Sequence, residues 1–244
     1  MEKSFYKSYF KLEKENWWFR VRRNLIFRIL QKYKIGTDKK ILDYGCGSGY
    51  LVGCLQRMGY DASGLDTSQE AVEFGRTQGV NNLQIAGYGE MPQNSGFDLI
   101  LALDVVEHIE DDMGAIRGLK GALKPGGLAI ITVPAYQWLW GIQDEVAHHF
   151  RRYTMSGLTD TIKGSGGFKI VRKTYFNTFL FLPAAVVRLA SKWFNIKNRE
   201  SDFDINSSFL NPLFYFIFNT EVKSLKWFNF PFGVSILLIL KKND

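Results

Sequence analysis

Asp43 ends a short run of branched apolar residues, and glycines follow it at alternate positions, Gly45, Gly47 and Gly49, in ILDYGCGSGY. Asp66 lies 23 residues further on, at the end of a second such run, DASGLD. Glycines at this density let a ligand press against the backbone. A dinucleotide turn spaces them G-x-G-x-x-G, and a mononucleotide loop ends in Gly-Lys-Ser/Thr. Here the spacing is G-x-G-x-G, Tyr50 stands where the third dinucleotide glycine belongs, and no lysine follows at the required place. An acid at Asp43 repels a pyrophosphate and attracts an ammonium or sulfonium group. A carboxylate at Asp66 can accept from both hydroxyls of a ribose. The ligand expected is a nucleoside with a cationic end and no pyrophosphate, and S-adenosylmethionine meets all three conditions. A tight turn without a ligand is the other reading of the glycines.

Methyl transfer from a sulfonium is an in-line displacement. The protein must align the acceptor, exclude water and remove a proton where the acceptor is an alcohol. The three histidines, His108, His148 and His149, all follow apolar runs that end beside the expected pocket. His149 and His108 are the candidate catalytic side chains. Arg151, Arg152, Tyr153 and Trp138 are the candidate acceptor contacts, with one arginine able to grip a phosphate or carboxylate bidentately. The alternative has His149 packing in its loop while the arginines pair with acids such as Asp144. Asp104, Glu107 and His108 stand at i, i+3 and i+4, one face of a helix, and oxygen and nitrogen donors so grouped suit a divalent ion. The alternative for them, which is preferred, is a helix cap with no metal. Tyr136, Trp138 and Trp140 form either a lid, an acceptor wall or plain core.

The motifs DYGCGSG, GLDTS, FDLILALDVVEHI and LKPGGLAIITVP together resemble those of class I S-adenosylmethionine-dependent methyltransferases, over about residues 39–134. NWWFRVRRNLI, HHFRRYT and FPFGVSILLILKK are similar to a bacterial subgroup often linked with lipid or glycan biosynthesis. The resemblance implies that Gly45, Cys46, Gly47 and Gly49 face the methionine part of the cofactor, with Asp43 near its amino group. It further implies Asp66 at the ribose, Thr67 or Ser68 near the adenine, and Leu103 and Asp104 closing the site. It also places a histidine at the position of His149. Quinone-biosynthesis O-methyltransferases have an acid-x-x-Glu-His arrangement similar to Asp104, Glu107 and His108 and hold a divalent metal with it. The chain departs from the pattern after the third strand, where many members carry Gly-Asp-Ala. Here Ala86, Gly87 and Tyr88 follow, so Gly87 stands at the adenine-contact position with no side chain to offer, and stacking by Tyr88 is the contribution left. The reaction expected is methyl transfer to oxygen of a small or lipid-linked acceptor. The rivals are transfer to nitrogen or carbon, a catalytically silent cofactor-binding scaffold and, third, a hydride-transferring enzyme.

These residues need strands that end together. KKILDYG, DASGLD, NLQIA, FDLILALDVV and LAIITVP read as buried strands, with helices over GYLVGCLQRMGY, QEAVEFGRTQG (capped by Ser68) and DDMGAIRGLKGALKPGG. MSGLTDTIKGSGG reads as a further helix, and FKIVRKTYF and GVSILLILKK as the last two strands. The expected fold is α/β: a doubly wound, mostly parallel, seven-stranded Rossmann-like methyltransferase sheet. At 244 residues a single domain is expected. Its parts are basic and aromatic N-terminal helices in 1–36 (helices at 3–16 and 20–34), a cofactor-binding core in 37–134, and an acceptor side in 135–244 with an apolar helical insertion at 177–233.

The net charge is +7, and residues 1–34 hold ten Lys/Arg against three acids. Trp17, Trp18 and Phe19 beside Arg20, Arg22 and Arg23 suit an anionic membrane interface, or else a plain solvated face. The aromatic insertion suits a membrane, a lid or a dimer contact. No long basic track adjoins the pocket, so nucleic acid is disfavoured. Two cysteines, no apolar leader and no run of about 18 apolar residues point to a cytoplasmic protein, peripheral on the inner membrane face if it meets lipid.

Overall fold

The computed structural model describes residues 10–87, 90–92, 95–193 and 210–244. A first helix, α1 (10–15), breaks at Asn16, whose side-chain oxygen accepts from Trp18 N–H and caps α2 (Trp17–Lys32). There follow β1 (Lys40–Tyr44), α3 (Tyr50–Arg57), β2 (Asp61–Asp66), α4 (Gln69–Thr77), β3 (Leu83–Ile85), β4 (Phe97–Leu103), α5 (Asp112–Ala122) and β5 (Leu123–Pro134). The second half adds α6 (Ile142–Val146), α7 (Met155–Ser165), β6 (Phe168–Phe176), α8 (Phe181–Trp193), α9 (Leu210–Ser224) and β7 (Ser235–Lys242).

Why the apolar runs become central strands is visible in β4. Leu99, Leu101 and Leu103 enter one core, while Ile100 and Ala102 enter the other. Alternate side chains of a strand point to opposite faces, so a continuous apolar run is stable only where both faces are covered. The first core is roofed by α2, α3 and α9, the second by α5 and α7.

The seven strands run β3-β2-β1-β4-β5-β7-β6. The four pairs among β1 to β5 are parallel, and β7 is antiparallel to both β5 and β6. The sheet is therefore mixed, with its one reversed strand inside the second edge. Another expectation needs correction. Lys124, Pro125, Gly126 and Gly127 do not close α5 but lie within β5, whose register against β4 shifts between Phe97 and Leu99. Gly126 takes the left-handed conformation (φ 71°) that such an irregularity needs.

Chain order places the crossover between β1 and β4, so their carboxyl ends diverge into a crevice, where ligands of open α/β sheets bind. The 177–233 region contributes α8 and α9, and its residues 194–209 lie outside the described ones. Among the described residues, no helix is long and apolar enough to cross a membrane.

Candidate active site

A cavity of about 670 Å³ opens at that crevice. One end is made by the last residues of three strands and those just beyond them: Asp43, Gly45, Cys46 and Gly47 at β1, Leu65, Asp66 and Thr67 at β2, and Leu103, Asp104 and Val105 at β4. Gly45 is held at φ 75°, and a Cβ there would lie 2.4 Å from Val105 Cγ2, so both conformation and space require glycine. Asp66 is fixed from two sides: Oδ2 accepts from Gly47 N–H (2.7 Å) and Oδ1 from Ser68 N–H (2.9 Å). Asp43 is buried, and burial, opposed by the charge of Arg22 and aided by Glu13 and Asp66, pushes its carboxyl up to about 7. Burial likewise pushes the Cys46 thiol up.

Three expected residues stand behind this wall. Gly49 packs under Leu83 and starts α3, Ser68 caps α4 through Ala71 N–H, and Gly87 N–H is taken by Glu90 at 3.0 Å. Ala86, one residue earlier, does reach the cavity. Tyr88 lies outside the described residues.

Another part of the wall, with His149, Arg152 and Arg188, is organised from behind by Asp144, which is fully buried in the first turn of α6. Its Oδ1 accepts from His149 Nδ1 (2.8 Å) and Arg152 Nε (2.7 Å), and its Oδ2 from Gly141 N–H (2.7 Å), with Arg188 Nη1 at 3.7 Å. The hydrogen bonds from His149 and Arg152 outweigh burial and hold its carboxyl down at about 2. His148, in the left-handed region (φ 54°), reverses the chain after α6 and returns His149 to its acid. With Nδ1 committed to Asp144, Nε2 of His149 is the ring nitrogen left to the cavity, which His149 lines. Both readings of HHFRRYT therefore meet in one group: the arginine pairs with Asp144, and so does the histidine.

His108 packs edge-on against His149, ring centres 4.5 Å apart. Burial and the neighbouring His149 bring its pKa down to about 4, which keeps the imidazole neutral. Glu107 is fully buried with neither carboxylate oxygen hydrogen-bonded, and burial pushes its pKa well up. Glu107, His108 and His149 offer ligand atoms within 4.8 Å of one another. Asp104 is not in that group. Its carboxylate takes Arg22 Nη1 (2.5 Å) and Thr132 Oγ1 (3.1 Å), and its backbone sits at φ 57°. Of the acceptor-side candidates, only Arg152 lines the cavity. Arg151 turns away to Asp112 and the Glu110 carbonyl, Tyr153 is buried with its hydroxyl donated to Asp112, and half-exposed Trp138 packs on Tyr136 and Phe181.

Several wall residues come from segments far away in sequence: Glu13, Asn16, Trp17, Trp18 and Arg22 from the N-terminal helices, Asn177, Leu180, Ala184, Val187 and Arg188 around α8, and Phe214 from α9. Trp18 and Arg22 share one face of α2 by their i, i+4 spacing, which was the only local signal for them. Trp18 stacks on Phe176 and Phe218, and Trp17 meets Phe214 and Phe218 edge-on, so the two indoles face the core of the molecule.

A family model described as a methyltransferase domain matches residues 18–169. The ubiquinone biosynthesis O-methyltransferase of Bartonella tribocorum is 30% identical over 183 residues, 68% of this chain and 70% of that protein. That of Rickettsia felis is 30% identical over 113 residues, 44% of this chain and 46% of that one, so this chain spans about half the length of such relatives. Among solved structures, an S-adenosylmethionine-dependent methyltransferase from Mesorhizobium loti superposes with a TM-score of 0.55 at 17% identity, over 84% of this chain and 91% of that one. At that identity the likeness is one of fold.

Proposed function

The chain belongs to the methyltransferase-domain family, the class I S-adenosylmethionine-dependent kind, and on that premise we propose that it transfers a methyl group from S-adenosylmethionine to an oxygen of a small acceptor. The whole chain is read as one methyltransferase domain. The observation that carries the reading is one cavity lined both by the Gly45–Gly47 turn with Asp66 and by His149, whose Nδ1 is held by Asp144. Asp66 holds the ribose hydroxyls, the glycine turn faces the methionine part, and Thr67 lies toward the adenine. His149 Nε2 takes the proton of the acceptor hydroxyl as its oxygen attacks the methyl carbon. The carbon–sulfur bond breaks, leaving the thioether S-adenosylhomocysteine. Asp144 fixes the imidazole tautomer and stabilises the imidazolium that forms. Arg152, with Arg188 behind it, leaves positive charge toward a phosphate or carboxylate of the acceptor. The test is calorimetric titration with S-adenosylhomocysteine, with NAD as control. The expected outcome is micromolar binding of the first and none of the second; the reverse would make the protein a hydride-transfer enzyme.

A second reading has a specific observation behind it. Glu107, His108 and His149 fit a divalent ion: two imidazoles stand beside a buried carboxylate whose two oxygens have no hydrogen-bond partner. Such an ion would act as a Lewis acid on the acceptor oxygen.

We further propose that, where the small acceptor is lipid-linked, it is met at the inner face of an anionic membrane, in a cytoplasmic setting that the free cysteines Cys46 and Cys54 suit. Support comes from α8. Its inner side, with Ala184 and Val187, walls the cavity, while its outer side exposes Leu182 (71%), Val186 (65%) and Trp193 (86%). A helix apolar on both sides needs a second apolar environment. Residues 161–199 hold eight Lys/Arg and no acid, and the six other than the internally bonded Arg172 and Arg188 supply the matching charge. Co-sedimentation with phosphatidylglycerol vesicles at low salt, reversed by high salt, is expected. Equal recovery without vesicles would remove the membrane from the reading.

A further inference from the structure

The N-terminal helices reach the cofactor end of the cavity, although the family match begins only at residue 18. Glu13, on α1, is buried against the glycine turn, where its carboxylate accepts from the Ser48 hydroxyl. It lines the cavity together with Asp43, Gly47 and Asp66, so three carboxylates converge on one end. Asn16, at the α1–α2 junction, lines the same cavity at 1% exposure. Its Oδ1 caps α2, but its Nδ2 has no hydrogen-bond partner. A buried amide donor without a partner costs about 1–3 kcal/mol. Carboxylates crowded in a buried wall also repel one another. An α-amino acid end offers relief for both, because its ammonium suits the carboxylates and its carboxylate accepts from an amide N–H.

We propose that Glu13 and Asn16 form, with Asp43, a subsite for the amino-acid end of the cofactor: Glu13 and Asp43 take the ammonium, and Asn16 Nδ2 donates to the carboxylate. The proposal rests on the S-adenosylmethionine reading of the cavity. It makes the first helix part of the binding site. The charged groups around Glu13 are Arg22 and Arg23 from α2, Asp66 from β2 and Asp43 from β1, with the neutral Cys46 thiol beside Asp43. Arg22 is held by Asp104, and Arg23 lies over the Tyr50 ring and donates to the Glu13 carbonyl. Burial, with lesser opposition from the Ser48 hydrogen bond and the two arginines, pushes the Glu13 carboxyl up to about 7. An ammonium seated against it stabilises the ionised form. Affinity for the amino-acid end therefore falls as pH drops below 7 and levels off above it.

The experiment compares two ligands that share the nucleoside. S-adenosylhomocysteine carries the amino-acid end, and 5′-methylthioadenosine lacks it. Glu13→Gln is expected to weaken S-adenosylhomocysteine at least tenfold at pH 8, to make its pH dependence between 6 and 8 shallower while Asp43 keeps the remainder, and to leave methylthioadenosine within twofold. Asn16→Asp keeps the capping oxygen and removes the donor, so it should show the same selective loss, and it serves if Glu13→Gln unfolds. Equal weakening of both ligands, or unchanged affinity for S-adenosylhomocysteine in folded variants, would overturn the proposal. Failure of the parent protein to bind either ligand would instead overturn the cofactor reading beneath it.

Discussion

His149→Gln leaves S-adenosylhomocysteine affinity unchanged and lowers methyl transfer by about 10²–10⁴-fold, the range for loss of a positioned general base. The separation of effects follows from geometry. His149 lines the cavity from the loop after α6, whereas the cofactor contacts come from the glycine turn after β1 and from Asp66 at the end of β2. Glutamine keeps a hydrogen-bonding group of similar reach toward Asp144 but has no basic nitrogen. The residual rate should rise with pH until the acceptor hydroxyl itself ionises, because an already ionised oxygen needs no base. A variant damaged only in packing would show no such recovery. Single-turnover transfer of labelled methyl groups to a phenolic acceptor, followed from pH 6 to 10, reads both effects. The metal reading predicts differently. There EDTA abolishes transfer by the parent, a divalent salt restores it, and raising the pH does not rescue His149→Gln. Loss of activity in EDTA would therefore move His149 from base to ligand.

The parts of this protein that could be read in the sequence are those whose chemistry is local. In β1–turn–α3 the strand, the glycines and the acid all lie within about ten residues, so one short pattern implies both conformation and ligand. Asp66 was legible for a similar reason, since a parallel neighbour must end at the same edge of the sheet. The N-terminal aromatics were not. WWFRVRR reads equally well as an interfacial anchor or a packed helix, and the choice depends on whether another helix covers it. Here α9 does: Trp17 and Trp18 pack on Phe218, and Arg20 lies over the Tyr215 ring. The two arginines of HHFRRYT show another limit. Neighbours in an extended segment point to opposite sides, so only one could face the cavity. The side was fixed by the contact of Tyr153 with Pro134 and Ala135, more than fifteen residues away. Arg188 gave no signal at all. It is one of two cations, with Lys192, in a mostly apolar helix, and only the docking of α8 brings it within 3.7 Å of Asp144.

Asp144→Ala should cost about 3–5 kcal/mol of folding stability, the penalty for taking the acid from a buried ionic cluster. Two guanidiniums and an imidazole depend on this one carboxylate, and their side chains are only 3% (Arg152), 13% (Arg188) and 10% (His149) exposed. Alanine removes the charge that lets the two guanidiniums stay out of water and the hydrogen-bond partner of the imidazole, and it also withdraws the acceptor of Gly141 N–H that starts α6. The effect on pH dependence has a definite sign. The folded pKa, about 2, lies below the ordinary carboxylate value. The contribution is therefore complete above pH 4 and is lost only as pH falls through 2. The part of the difference that comes from the carboxylate's own ionisation should therefore stay constant from pH 8 to 5 and vanish only in strong acid. Urea unfolding at three pH values measures this, with the slope against urea showing whether the variant still folds cooperatively. Arg188→Met supplies the contrast. It removes the more distant cation and leaves a full complement of partners on Asp144, so it should cost far less while weakening binding of an anionic acceptor. Should Asp144→Ala prove as stable as the parent, the cluster would not hold His149 in place. The imidazole would then lack the fixed tautomer on which its role as base depends.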